Sequence, residues 1–168
     1  MGKPHIEAYL EFAKRFYQYT GKIKKEQYLV PYLMSSHPGS TLNDAIELAL
    51  FLKKERIRPE QVQDFYPTPG SISTCMYYTG LDPYTLEPVF VPKTGEEKAL
   101  QRALLQYFRP QNRLIVAKAL RVAGREDLIG TGKNCLIPPV FGQKPSPDHP
   151  KAKVVAKGKW TPTRGKYR

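Results

Sequence analysis

Two apolar runs, each ending in a turn of small residues, are the main feature of the hydrophobic pattern. Residues 28–34 lead into a turn that contains Pro38-Gly39. Residues 62–66 lead into a second turn that contains Pro69-Gly70. Short, nearly continuous apolar runs are typical of strands buried on both faces. Pro31 interrupts the first run, since proline cannot donate a hydrogen bond to a sheet.

A helical pattern connects the two runs. Apolar residues recur at helical spacing across residues 42–54, after Thr41 at the N-cap position and with Asp44 three residues further on. A strand, a helix and a second strand form the usual crossover between parallel strands. We therefore expect an α/β fold in which the two strands lie side by side and point the same way.

Further helices are predicted on either side of this unit. One begins near Pro4 and ends at Gly21, one covers residues 95–109, and one runs from Pro110 to Gly124 with a short turn of helix after it. Residues 71–93 between them are predicted to be irregular, because glycine and proline recur there. Their aromatic residues favour packing across a surface.

The chain is strongly basic, with a formal net charge of +12. Such a charge favours nucleic acid first and a membrane surface second, or it marks a cationic surface with no such role. Residues 142–168 hold eight basic residues and one acidic residue. This composition predicts a disordered tail. Its lysines, with Trp160 and Tyr167, either bind RNA or only keep the chain soluble.

Several classes of protein are disfavoured by what the sequence lacks. The two cysteines, Cys75 and Cys135, are too few for a disulfide framework or a metal cluster. The sequence contains no apolar stretch near the ~20 residues of a membrane span and no secretory leader pattern. We therefore expect a cytoplasmic protein with no membrane partner. No CxxC, HExxH, GxSxG or P-loop motif is present, so no self-contained catalytic machinery is visible.

The two turns are the candidate binding site. Ligands of parallel α/β folds lie beyond the carboxyl ends of the strands. Small residues let backbone groups approach a flat heterocycle such as adenine, or a carboxylate. The alternative, which is equally consistent with the sequence, is that both turns are only tight structural connections. Two roles are open for His37. It is a functional acid, base or ligand, or it is a turn residue bonded to the backbone.

Three segments resemble the carboxyl-terminal part of the YgiQ-type radical SAM proteins. They read QYLVPYLMSSHPGST (residues 27–41), DFYPTPGS (64–71) and TCMYYTGLDP (74–83), and residues 98–130 with Gly132-Lys133-Asn134 are also similar. The likeness covers roughly residues 5–140. It implies the fifth and sixth strands of a partial β/α barrel, then a small helical region and the disordered basic tail.

The resemblance also implies a site for S-adenosylmethionine. The first turn corresponds to a family motif that often ends Gly-Phe-Pro-Gly-Glu-Thr, with Ser36 and Ser40 here in place of the first glycine and the glutamate. The backbone from Phe65 to Pro67 would lie beside the adenine. The cofactor-binding residues that we predict on this basis are Ser35, Ser36, His37, Gly39, Ser40, Phe65, Tyr66 and Pro67.

The CxxxCxxC motif that holds the family's [4Fe–4S] cluster is not in this sequence. The resemblance therefore implies one part of a longer enzyme, with the missing N-terminal barrel portion as its partner. The predicted units are barrel residues 1–84, a helical extension at 85–141 and the tail at 142–168. Alone, the chain is expected to bind no cofactor, to be inactive and to be prone to self-association, because a two-stranded sheet is marginal. The alternative is a non-catalytic RNA-binding module, and the substrate is not specified.

Overall fold

The computed structural model describes residues 5–140, which combine helices with a two-stranded parallel sheet. The predicted α/β class is confirmed, whereas the predicted disordered tail lies outside the described residues. No helix within residues 5–140 is both long and apolar enough to cross a membrane. The elements in chain order are α1 (Ile6–Lys22), β1 (Leu33–Ser35), α2 (Leu42–Lys54), β2 (Val62–Asp64), α3 (Ile72–Thr79), α4 (Gly95–Leu105) and α5 (Arg113–Val122), with 3-10 turns at Pro110–Asn112 and Glu126–Leu128.

The two strands pair in parallel, with Leu33 opposite Val62 and Ser35 opposite Asp64. This arrangement confirms the predicted strand–helix–strand unit. The strands are shorter than predicted, however, because residues 28–32 and 65–66 lie outside them. Pro31 lacks an N–H and lies in the middle of the excluded stretch, which is a physical reason for its exclusion.

The first turn of α2 forms as its sequence predicts. Thr41 Oγ1 accepts a hydrogen bond from Asp44 N at 3.3 Å, and Asp44 Oδ2 accepts one from Thr41 N at 2.8 Å. The same reciprocal capping box begins α4, between Thr94 and Glu97. Because a good N-cap stabilises a helix by about 1 kcal/mol, both starting points are well defined.

Helix α3 corrects the prediction that residues 71–93 are irregular. Ser71 caps its N-terminus by accepting a hydrogen bond from Thr74 N at 3.2 Å. Gly80 closes it in the left-handed conformation, with φ at +70°. These are ordinary start and stop signals, here only eight residues apart. Helix α4 also ends earlier than predicted, at Leu105 rather than residue 109.

Helix α4 lies at the centre of the hydrophobic core. Leu104 is fully buried and Leu105 is 1% exposed. The core joins α2 to α4, so apolar packing crosses the predicted boundary between residues 84 and 85. That boundary itself stays a prediction. The cluster comprises Ala45, Ile46, Ala49, Leu100, Ala103, Leu104, Val116, Ala117, Ala119, Leu120, Leu128, Leu136 and Ile137.

We expect Leu120→Ala to lower the free energy of unfolding by about 2–5 kcal/mol, because it removes a side chain with no exposed surface from this core. Leu114 lies on the same helix but is 55% exposed. The matched variant Leu114→Ala should therefore change the free energy by less than about 1 kcal/mol. Urea denaturation of both variants measures the difference, and equal losses would contradict this packing.

Candidate functional site

The two turns lie at the same end of the sheet, because the strands before them run in parallel. The ladder extends one step into the second turn, where Phe65 N donates a hydrogen bond to the Ser35 carbonyl at 2.8 Å. Ser35 Oγ also donates to Asp64 Oδ1 at 2.6 Å. The two turns therefore begin at points where the chain after β1 and the chain after β2 are in direct contact.

Ser36 is the most unusual residue of the first turn. Its backbone is left-handed, with φ at +61°, a conformation that costs energy for any residue other than glycine. Its side chain is 1% exposed, and its Oγ makes no hydrogen bond with any described residue. A buried, unpaired hydroxyl is also unfavourable. Strain and an unsatisfied group at one position are features that cluster at binding sites.

Gln101 of α4 holds this turn in place. Its Oε1 accepts a hydrogen bond from Ser36 N at 3.0 Å, and its Nε2 donates one to the Ser40 carbonyl at 2.8 Å. The residue is only 2% exposed. A third bond joins Gly39 N to the Phe90 carbonyl at 2.7 Å, with Gly39 at φ +87°. One buried amide thus fixes both ends of the first turn.

His37 connects the first turn to α3. Its Nδ1–H donates to the Pro38 carbonyl at 2.7 Å, which leaves Nε2 to accept from the Ser73 hydroxyl at 2.8 Å. Burial lowers the pKa of His37 below its ordinary value of 6.5, and the bond to Pro38 acts in the opposite direction. Both ring nitrogens of His37 are therefore bonded to other groups of the chain.

The second turn contributes one aromatic ring, that of Phe65, to the site. The Phe65 ring lies 5.2 Å from the His37 ring and 5.8 Å from the Tyr77 ring, between centroids. Tyr66 is 82% exposed, so its side chain faces solvent. Pro67 is half-buried. Of the predicted residues, Ser35, His37 and Phe65 are therefore brought into contact, while Tyr66 directs its ring away.

Helix α4 also holds the end of β2. Arg102 Nε donates to Asp64 Oδ1 at 3.1 Å, and a second guanidinium nitrogen pairs with the other carboxylate oxygen. Gln101, Arg102 and Ser73 are not among the residues predicted from the sequence. For Gln101 a signal was present, since a glutamine stands beside Leu100 on a helix face that is otherwise apolar.

The described residues offer little to a metal ion. Within residues 5–140 no three His, Cys, Asp or Glu side chains come together in a group that could hold one. Cys75 is exposed and Cys135 is half-buried, and both are free thiols. A cleft lies away from both turns, between α1 and the residues that precede each strand.

Comparison with known proteins places the chain in a family. A family model described as a domain of unknown function, DUF3362, matches residues 60–167. The chain belongs to the DUF3362 family. The DUF3362 match includes β2, the second turn, and the helix that carries Gln101, whereas the first turn precedes it.

Longer relatives of this DUF3362 chain carry the description UPF0313 protein. The chain is 58% identical over 137 residues to one from Clostridium perfringens strain 13, which covers 82% of this chain and 21% of the relative. It is 60% identical over 138 residues to one from Clostridium botulinum strain 657, and this match covers 82% of the chain and 22% of the relative. The chain thus spans about a fifth of the length of these curated relatives. No solved structure matches.

We expect Gln101→Leu to lower the free energy of unfolding by about 1–3 kcal/mol, because it leaves buried backbone groups of Ser36 and Ser40 without partners. Gln111 is exposed, so Gln111→Leu is the matched control and should stay within about 0.5 kcal/mol. Backbone amide exchange at residues 36–40 reports the loss locally. Unchanged exchange there would show that Gln101 does not hold the turn.

We also expect His37 to make stability depend on pH. Since burial lowers its pKa in the folded state, the unfolded chain binds the proton more tightly. Stability that is fully present above pH 6.5 should decline as the pH falls below it. His37→Gln removes this contribution, so the difference in unfolding free energy between parent and variant should narrow from pH 8 to pH 5. A constant difference would contradict the burial of the ring.

Proposed function

We propose that this chain forms two strands of a radical SAM β/α barrel within a longer protein of the UPF0313 type, and that its two turns form part of the S-adenosylmethionine site. The observation that carries the proposal is Ser36, a buried and unpaired hydroxyl in a left-handed turn at the carboxyl end of a parallel strand. The similarity to UPF0313 proteins, of which the matched residues make up only 21%, supports the idea of a larger whole.

The chemistry of the turns suits the adenosyl part of this cofactor. A hydroxyl donates and accepts hydrogen bonds, and the adenosyl group offers partners of both kinds. In residues 65–67 Phe65 N is bonded to Ser35 and Pro67 has no N–H, so Tyr66 N and the backbone carbonyls are the groups that would contact the edge of a flat base. In radical SAM proteins the bound cofactor is the source of an adenosyl radical. This chain's residues would bind and orient the adenosyl group.

The residues that the structure describes do not provide a set of ligands for a [4Fe–4S] cluster. Residues 5–140 bring no three His, Cys, Asp or Glu side chains together in a group that could hold a metal. In the proposed assembly the cluster would be held by the remainder of the longer protein. The part played by this chain is then limited to shaping one side of the pocket and excluding water with Phe65 and His37.

We expect Ser36→Ala to weaken binding of S-adenosylmethionine without lowering the stability of the chain. Removing an unpaired buried hydroxyl should leave the stability of the chain unchanged or higher. In the assembled protein, affinity for S-adenosylmethionine should fall by about three- to tenfold, the value of one hydrogen bond. Thr85→Ala, in an exposed loop, should change neither quantity.

The assembled protein for this test is the 168-residue chain joined to the rest of the Clostridium perfringens relative. Equilibrium dialysis measures the affinity, and urea denaturation of the chain measures stability. Equal affinity in parent and Ser36→Ala, with Thr85→Ala also unchanged, would refute the role of Ser36 in cofactor binding.

A further inference from the structure

Lys98 differs from every other half-buried basic side chain in the described part of the protein. Within residues 5–140 these side chains are Lys53, Lys98, Arg109 and Arg125. Arg125 pairs with two carboxylates, while Lys53 and Arg109 donate hydrogen bonds to backbone carbonyls, at 2.8 Å and 2.6 Å. Lys98 takes part in none of the ion pairs among the described residues. An ammonium carries three donors, so its partial burial without an acceptor is unfavourable.

The contact that Lys98 does make leaves its donors available. Its Nζ lies over the Tyr77 ring, 5.6 Å from the ring centroid. A ring face attracts a positive charge, but it does not replace an oxygen acceptor for the N–H groups. Tyr77 therefore positions the ammonium and leaves it able to bind a further group.

The carboxylates that precede Lys98 on α4 are engaged elsewhere. Glu96 pairs with Lys118 at 2.6 Å. Glu97 accepts hydrogen bonds from two backbone amides ahead of the helix, at 3.0 Å and 3.1 Å. Lys98 is also the fourth residue of α4, near the positive end of the helix dipole, where a cation is disfavoured and an anion is favoured. Neither these carboxylates nor the helix accounts for a positive charge at this position.

Lys98 stands beside the candidate cofactor site. Gln101 and Arg102 follow it by three and four residues, and such residues share one side of a helix. Gln101 bonds to the first turn, and Arg102 bonds to the end of β2. The Tyr77 ring under the ammonium lies 5.8 Å from the Phe65 ring of the second turn, between centroids. A ligand bound by Lys98 would therefore lie next to the two turns.

We propose that Lys98 binds a carboxylate group of the substrate, whose apolar part lies against the rings of Tyr77 and Phe65. One ammonium matches the single charge of a carboxylate, whereas a phosphate monoester carries nearly two charges and calls for a second cation. Arg102, one turn further along α4, is already paired with Asp64. The inference rests on the proposed function in identifying the ligand as the substrate of the longer protein.

Two probes of the same shape isolate the charge. Phenylacetate carries a carboxylate, and phenylacetamide is neutral. The 168-residue chain is titrated with each probe, and the NMR shifts of the backbone amides at residues 77 and 98 give the affinities. Phenylacetate should bind at least about fivefold more tightly, because only it forms a charge-assisted bond with the ammonium. Lys98→Met should abolish this preference, and Lys93→Met, at an exposed position before the same helix, should retain it.

Equal affinities of the two probes for the parent chain would overturn the proposal, and this comparison needs no variant. An unchanged preference in Lys98→Met would overturn it as well. Acetate and inorganic phosphate are then compared as competitors at matched ionic strength. Stronger displacement of phenylacetate by phosphate than by acetate would also refute the proposal, since the subsite would then be one for phosphates.

The assembled protein separates a substrate carboxylate from the carboxylate of S-adenosylmethionine itself. In the chain joined to the rest of the Clostridium perfringens relative, Lys98→Met should leave the affinity for S-adenosylmethionine unchanged within about twofold. A loss of about tenfold would assign Lys98 to the cofactor and overturn the proposal. The probe titrations contain no cofactor, so their failure leaves the test of Ser36 standing. Failure of the Ser36 test would in turn leave the carboxylate subsite standing and remove only its link to the substrate.

Discussion

The packing of α4 against α2 and the sheet is the contact on which the remaining structure depends. A sheet of two short strands is marginal by itself, because it has little apolar surface to bury. Leu104 and Leu105 anchor α4 in the core, and this placement brings Gln101 and Arg102 to the carboxyl end of the strands. The core therefore stabilises the sheet and positions the first turn through a single helix.

This arrangement assigns different roles to neighbouring parts of the chain. The first turn carries the strain and the unpaired hydroxyl of Ser36, while Gln101, 65 residues away, keeps that turn in its unfavourable conformation. The DUF3362 match begins at residue 60, so it contains the residue that holds the turn but not the turn itself. Residues on both sides of the predicted boundary at residue 84 therefore determine the conformation of the first turn.

Whether a feature could be predicted from the sequence depends on how close together in the chain its residues lie. Thr41 and Asp44 lie three residues apart, and the apolar periodicity of α2 is continuous, so the crossover and the parallel strands were predictable. Helix α3 is not predicted by the pattern, because a glycine such as Gly80 marks either an irregular segment or the end of a helix. The contacts of Gln101 join residues 61 and 65 positions apart, and no periodic pattern encodes such a pairing.

The hold of Gln101 on the first turn has a thermodynamic consequence. Its two hydrogen bonds, from Ser36 N and to the Ser40 carbonyl, restrict the turn before any ligand arrives. A turn that is already ordered loses less conformational entropy when a ligand binds to it. By reciprocity, a ligand that bound the ordered form of the turn would strengthen the contact between the turn and α4 by the same factor.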